Sequence, residues 1–128
     1  MIAAQAAVGF EQKRDLYLVP QDNIVLLRHD AVRQSEKDFK KHERIWKRDT
    51  QYFSSPGDKY LHPSYARIIG MGHSAVSLIL RSMRRQPADW FYALRAITGA
   101  NPVTSAMAGD VRKMSEAWIE WGERQGLL

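Results

Sequence analysis

Cysteine is absent from the 128 residues, which excludes disulfides and thiolate metal sites and is compatible with a reducing compartment. Long apolar runs are absent too. No stretch approaches the ~20 residues that a membrane helix needs. The first residues, MIAAQAAVGFEQKRDLYLVP, lack the basic start and long apolar core of a secretory signal. The expectation is therefore a cytoplasmic protein with no membrane partner. Paired histidines are also missing. His29, His42, His62 and His73 fall on separate stretches, and none forms an H-x-x-x-H or H-E-x-x-H pair. His42 and Glu43 are sequence neighbours, so on a helix they point apart. Catalysis needs convergent polar groups, and no base is paired with a nucleophile here. The expectation is a protein that is not an enzyme, with no catalytic residue, no metal site and no cofactor.

What is present is ordinary globular material. Hydrophobic residues make up 45% of the chain, too many for a disordered segment, and four Trp, five Tyr and four Phe can build a dense core. Lys and Arg number 19 against 14 acids, a formal charge of +5, with an isoelectric point near 9.7. That balance permits contact with a polyanion without demanding it.

The chain changes texture near residue 30. RDLYLV and NIVLLRH are short apolar runs around PQD, which suggests strands at Asp15–Val19 and Ile24–His29 in a hairpin. A lone hairpin is marginal in water. Residues 1–30 are thus expected to be an arm or β-hairpin, and residues 31–128 a helical domain. In the arm, Leu16, Tyr17, Leu18, Ile24, Val25 and Leu26 are the candidate interface, by completing a partner's sheet edge or by exchange between identical chains.

Beyond the arm, periodicity is helical. Phe39, Trp46 and Phe53 recur every seven residues with Ile45 and Tyr52 beside the last two, which predicts an amphipathic helix over Val32–Tyr52. Ser35 and Asp38 echo a capping box, and SSPGDK stops the helix. A short helix follows over Pro63–Ile69. The next opens at His73 or Ser74, carries Val76, Ile79, Leu80 and Met83 inward, and breaks at Pro87. PADWFYALRAITG forms another, with Trp90, Phe91, Leu94 and Ile97 inward and Gly99 as its left-handed end. The last spans Ala108–Gln125 with Val111, Met114, Trp118 and Trp121 inward, closing on Gly126 and Leu127. The fold class expected is mainly α, a compact bundle of about five helices.

Gly70, Gly72 and Ala75 in RIIGMGHSAV fit the G-x-G-x-x-G/A spacing of a dinucleotide loop, and Asp89 falls at a suitable distance. That loop works only between a buried strand and a helix with parallel strands alongside. No such strands are readable here, and a tight corner between helices accounts for more of the residues, with Gly70 at positive φ and Gly72 allowing close approach. Gly72, Ala75 and Val76 resemble the LG-x-x-A-V-x-x-L pattern of a HEAT-like helical pair, Met71 and Ile79 standing where that pattern has leucine. From about Trp46 onward, HPSYARIIGMG, WFYALRAITGANPV and AWIEWGERQG resemble segments shared by a group of small uncharacterised prokaryotic proteins, a kinship that implies no particular reaction.

Two binding readings remain. Arg33, Lys37, Lys40, Lys41, Arg44, Lys47 and Arg48 recur at helical steps and form a basic face, which Arg81, Arg84 and Arg85 extend if they fold alongside. Such a face tracks nucleic-acid phosphates. The plainer account is a solvated helix with Glu36–Lys40 and Glu43–Lys47 pairs. Trp90, Phe91, Trp118 and Trp121 are read as core rather than base-stacking platforms, with one indole of WIEW near the surface. The leading expectation is a non-catalytic helical interaction module that binds a protein partner or itself, by analogy an accessory or regulatory protein. The alternative is a nucleic-acid-binding protein of the antitoxin or mobile-element accessory type.

Overall fold

The computed structural model describes residues 21–128, with side chains from Ile24 onward. Six α-helices and one 3-10 turn make up the ordered elements among them, and no strand occurs. The fold is mainly α, a helical bundle. Helix α1 spans Gln21–Thr50, α2 Pro56–Tyr60, α3 Pro63–Gly70, α4 His73–Arg85, α5 Phe91–Thr98 and α6 Val111–Arg124; the 3-10 turn is Ser105–Met107. The chain divides into two units after Gln34.

The strand expected at Ile24–His29 is helical instead, part of α1. Its companion, Asp15–Val19, lies outside the described residues, as do Leu16, Tyr17 and Leu18. The run NIVLLRHDAVRQ contains no glycine or proline, and its leucines and arginines are good helix formers, so helix propagates through it into the amphipathic segment. Ser35 and Asp38 consequently sit inside a helix rather than at its start. At the other end α1 stops at Thr50, whose hydroxyl donates to the Trp46 carbonyl at 2.6 Å. Tyr52 and Phe53 fall beyond that stop and are exposed, so the expected seven-residue stripe is buried only at Phe39 and Trp46. Pro56 then opens the short α2, where a missing N–H costs nothing.

Within Ser35–Leu128 the helices close on one core. Phe39, Trp46, Tyr65, Ile68, Val76, Ile79, Leu80, Met83, Trp90, Leu94 and Trp118 are buried together. Its aromatic centre joins three elements: the Trp46 and Trp90 rings lie 4.3 Å apart, and Tyr65 stacks on Trp90 at 5.2 Å with 12° between planes. Helix α4 packs on α5 and α6, and α3 packs on α5 and α2.

The glycine corner is a bend between α3 and α4. Ile68 and Ile69 belong to a helix, so the dinucleotide reading falls. The two glycines have roles other than those expected. Gly70 is helical, and it is Gly72, the N-cap of α4, that takes positive φ (69°). Gly99 ends α5 in the left-handed conformation, its amide bonded to the Arg95 carbonyl at 2.8 Å. The last helix begins at Val111 rather than Ala108. Gly109 at φ 85° interrupts the chain, and the Asp110 carboxylate accepts from the Lys113 amide at 3.1 Å as its cap. Val111, expected inward, is exposed in that first turn. Gly126 closes α6 as anticipated: the Leu127 amide bonds to the Gly122 carbonyl at 2.9 Å and the Gly126 amide to that of Glu123 at 3.1 Å.

Candidate polyanion-binding face

The cations of α1 separate from its acids once the helix is drawn in the round. At ~100° per residue, Lys37, Lys40, Lys41, Arg44, Lys47 and Arg48 share an arc of about 120° on one side. Phe39, Trp46 and Thr50 lie opposite and are buried. Glu36 and Glu43 border the cationic arc on one flank, Asp38 and Asp49 on the other. The acids that interleave with the cations in sequence therefore stand at the margins of the face.

Pairing draws off two members of the arc. Lys47 Nζ lies 3.5 Å from Glu43, and Arg48 Nε donates to Asp49 at 2.8 Å. The Glu43–Lys47 pair was expected; the Glu36–Lys40 pair is not formed. Among the described residues no carboxylate lies within 4 Å of Lys37, Lys40, Lys41 or Arg44. Arg33 belongs to the other unit, where it pairs with Asp30 at 2.6 Å.

Tertiary packing adds cations from elsewhere. Lys40 shares a cleft of about 120 Å³ with Glu36 and with Arg81 and Arg85 of α4, over a floor of Phe39 and Leu78. Arg84 does not join them. It turns to α6, 3.5 Å from Glu123. Across the face, Lys41 shares a second cleft of about 460 Å³ with Asp38 and His42 of its own helix and Arg67 of α3. Arg67 escaped the sequence reading, because a single arginine in an apolar helix carries no periodic signal; only the packing of α3 sets it beside Lys41.

Beneath the face, polar contacts hold α1 in register. Glu43 accepts from the Ser82 hydroxyl of α4, and the Trp46 indole donates to the Lys59 carbonyl at 2.9 Å. His42 Nδ1 lies 3.2 Å from the Ser64 hydroxyl. His62 is the N-cap of α3: its Nδ1 accepts from the Ser64 amide at 3.0 Å, which leaves the proton on Nε2 to donate to Asp49 at 2.9 Å. Hydrogen bonds from Arg48 and then His62 hold the Asp49 carboxyl below its ordinary range. His62 thus acts as a cap. His73 opens α4 and is exposed, with no side-chain cap bond. His42 and His62 thus meet on Ser64, and among the described residues no group of three metal-ligating side chains forms.

Protein-family models, curated proteins and solved structures yield no match to this chain. The reading of the face rests on its chemistry. Six cations on one arc, with Arg81 and Arg85 beside Glu36 on one side and Arg67 beside Asp38 on the other, make a surface on which positive charge predominates. No helix among the described residues is long and apolar enough to cross a membrane. The aromatic residues divide as expected of core: Trp90 and Trp118 are fully buried and Phe91 nearly so, while Trp121 is half-buried, its ring 5.3 Å from that of Trp118.

Proposed function

We propose that the chain is a small helical module that binds the phosphate backbone of a nucleic acid through the outer face of α1, without catalysis. The observation that carries this reading is the segregated face itself, with Lys37, Lys40, Lys41 and Arg44 exposed and free of carboxylate partners among the described residues. Ion pairs laced along a solvated helix would have used those side chains. Cations that are left free and gathered with Arg67, Arg81 and Arg85 favour a polyanion, whose condensed counterions are released on binding. A cytoplasmic setting belongs to the same reading, as does an accessory role of the antitoxin or mobile-element type. The pairing of helices across Gly72, with Ala75 and Val76 buried behind it, supports a HEAT-like corner as the scaffold.

The test is retention of duplex DNA and of RNA across a salt series. Affinity is expected to fall steeply, by ~0.9 in log K per log unit of salt for each phosphate neutralised on a duplex. Lys37→Glu, Lys41→Glu and Arg44→Glu together are expected to lower it at least ~10-fold at low salt and to flatten the slope. Absent or salt-insensitive retention of both nucleic acids overturns the reading.

A second reading is favoured by a different observation. Val25, Leu26, Leu27 and Val32 are each 50–57% exposed on α1. These side chains surround the helix rather than lining one stripe, the pattern of a helix that is covered by others. Association with a second copy of the chain through residues 24–34 would cover them. The candidate interface at Ile24, Val25 and Leu26 then works as a helix and not as a strand.

A further inference from the structure

Away from the basic face, a cleft of about 420 Å³ opens between α5, the connection after it and α6. Its size falls in the ~300–1,000 Å³ range of small-molecule sites. Phe91 and Trp118 supply a buried aromatic floor, and Met114 adds a deformable apolar wall. Tyr92 stands at the mouth, half-exposed, stacked on Tyr60 with ring centres 5.2 Å apart. Among the described residues Arg95 is the single charged side chain lining the cleft, and it makes no ion pair there. The hydroxyls of Thr104 and Ser105 line the same cleft.

We infer that this cleft binds a small aromatic carboxylate. One guanidinium without an ion-pair partner selects a monoanion, the Asp89 carboxylate nearby being held by the Tyr60 hydroxyl at 2.7 Å, and its planar fork matches the two oxygens of a carboxylate. Aromatic walls select a flat ring, which they contact by stacking or edge-on. The volume accommodates a body of one or two rings. A phosphate backbone does not fit the same chemistry, since one cation cannot track successive charges. None of the α1 cations lines this cleft, and the inference stands independently of the polyanion reading.

The experiment is a titration of the ¹⁵N-labelled full chain with benzoate, read at the indole N–H resonance of Trp118. A saturable shift is expected, with Kd of about 1 mM or tighter for so small a ligand. Benzamide, which keeps the ring and loses the charge, and acetate, which keeps the charge and loses the ring, are each expected to bind ~10-fold more weakly or worse. Arg95→Gln is expected to weaken benzoate by a similar factor. Arg95 is exposed, so its replacement spares the core, and the benzoate–benzamide comparison on the unaltered chain stands without it. No saturable shift with benzoate, equal binding of benzamide, or an unchanged Kd in Arg95→Gln overturns the inference.

Discussion

The phenol of Tyr65 ties two parts of the core together. Its ring lies flat against Trp90, its oxygen accepts from the Ala93 amide at 2.9 Å, and its proton points to the Asp89 carbonyl at 3.4 Å. The Ala93 amide is one of the unpaired donors in the first turn of α5, whose N-cap, Trp90, offers no side-chain acceptor. Tyr65 therefore caps α5 from another helix. Burial pushes its phenol well above the ordinary range. Tyr60 moves the same way, through burial first and then its 2.7 Å bond to Asp89. Both groups keep their protons in the folded state after the unfolded chain has released them. Their stabilisation is fully present below the ordinary tyrosine value of ~10 and is lost as the pH rises beyond it. Denaturant midpoints measured between about pH 8 and pH 11 are expected to fall at the alkaline end. Tyr60→Phe is expected to flatten part of that fall; midpoints that stay level with pH would contradict the argument. Periodicity marks Tyr65 as an inward residue. Its role as a cap is not legible, because its partner is 28 positions away.

Helix boundaries were readable where a local chemical signal sets them. Pro63, Gly99 and the Gly126–Leu127 closure act within a few residues, and α3 starts and α5 and α6 finish where those residues say. Residues 24–29 illustrate the opposite case. An apolar run of four fits a strand or a helix equally well, and only the uninterrupted passage into the amphipathic segment resolves it as helix. Gly122 is another position whose meaning lies in packing. It sits inside α6, where a Cβ would come within 2.5 Å of Leu80 Cδ1 on α4. Leu80 is fully buried and cannot swing away without disturbing the core. Gly122→Ala gains ~0.5–1 kcal/mol of helix propensity but incurs an overpacking cost of ~1–3 kcal/mol, so a net loss of about 1 kcal/mol is expected. Thermal or denaturant unfolding measures it. Adding Leu80→Val should relieve much of the penalty, a coupling that a double-mutant cycle resolves; a Gly122→Ala variant more stable than the parent would refute the close approach.

At the scale of the whole molecule, α1 serves two units. In Ser35–Thr50 its buried side completes the aromatic core and its outer side carries the cations; in residues 24–34 it bears the exposed Val25, Leu26, Leu27 and Val32. If a second copy covers those side chains, the chain has a mass above 14.7 kDa in solution. Val25→Glu with Leu27→Glu is then expected to return it to the mass of one chain, with helical content retained. Sedimentation or light scattering decides this, and a single-chain mass for the unaltered protein across concentrations removes self-association.

Composition and 3.6-residue periodicity were enough for the helical class, for Phe39, Trp46, Trp90 and Trp118 as core, and for a basic side on α1, because each follows from spacing along one helix. Long-range packing alone decided the rest. It set Arg81 and Arg85 beside Lys40 and Arg67 beside Lys41, turned Arg84 away to Glu123, and enclosed Arg95 and Trp118 in one cleft. Those neighbours come from different helices, and no regularity along the chain encodes the distance between them.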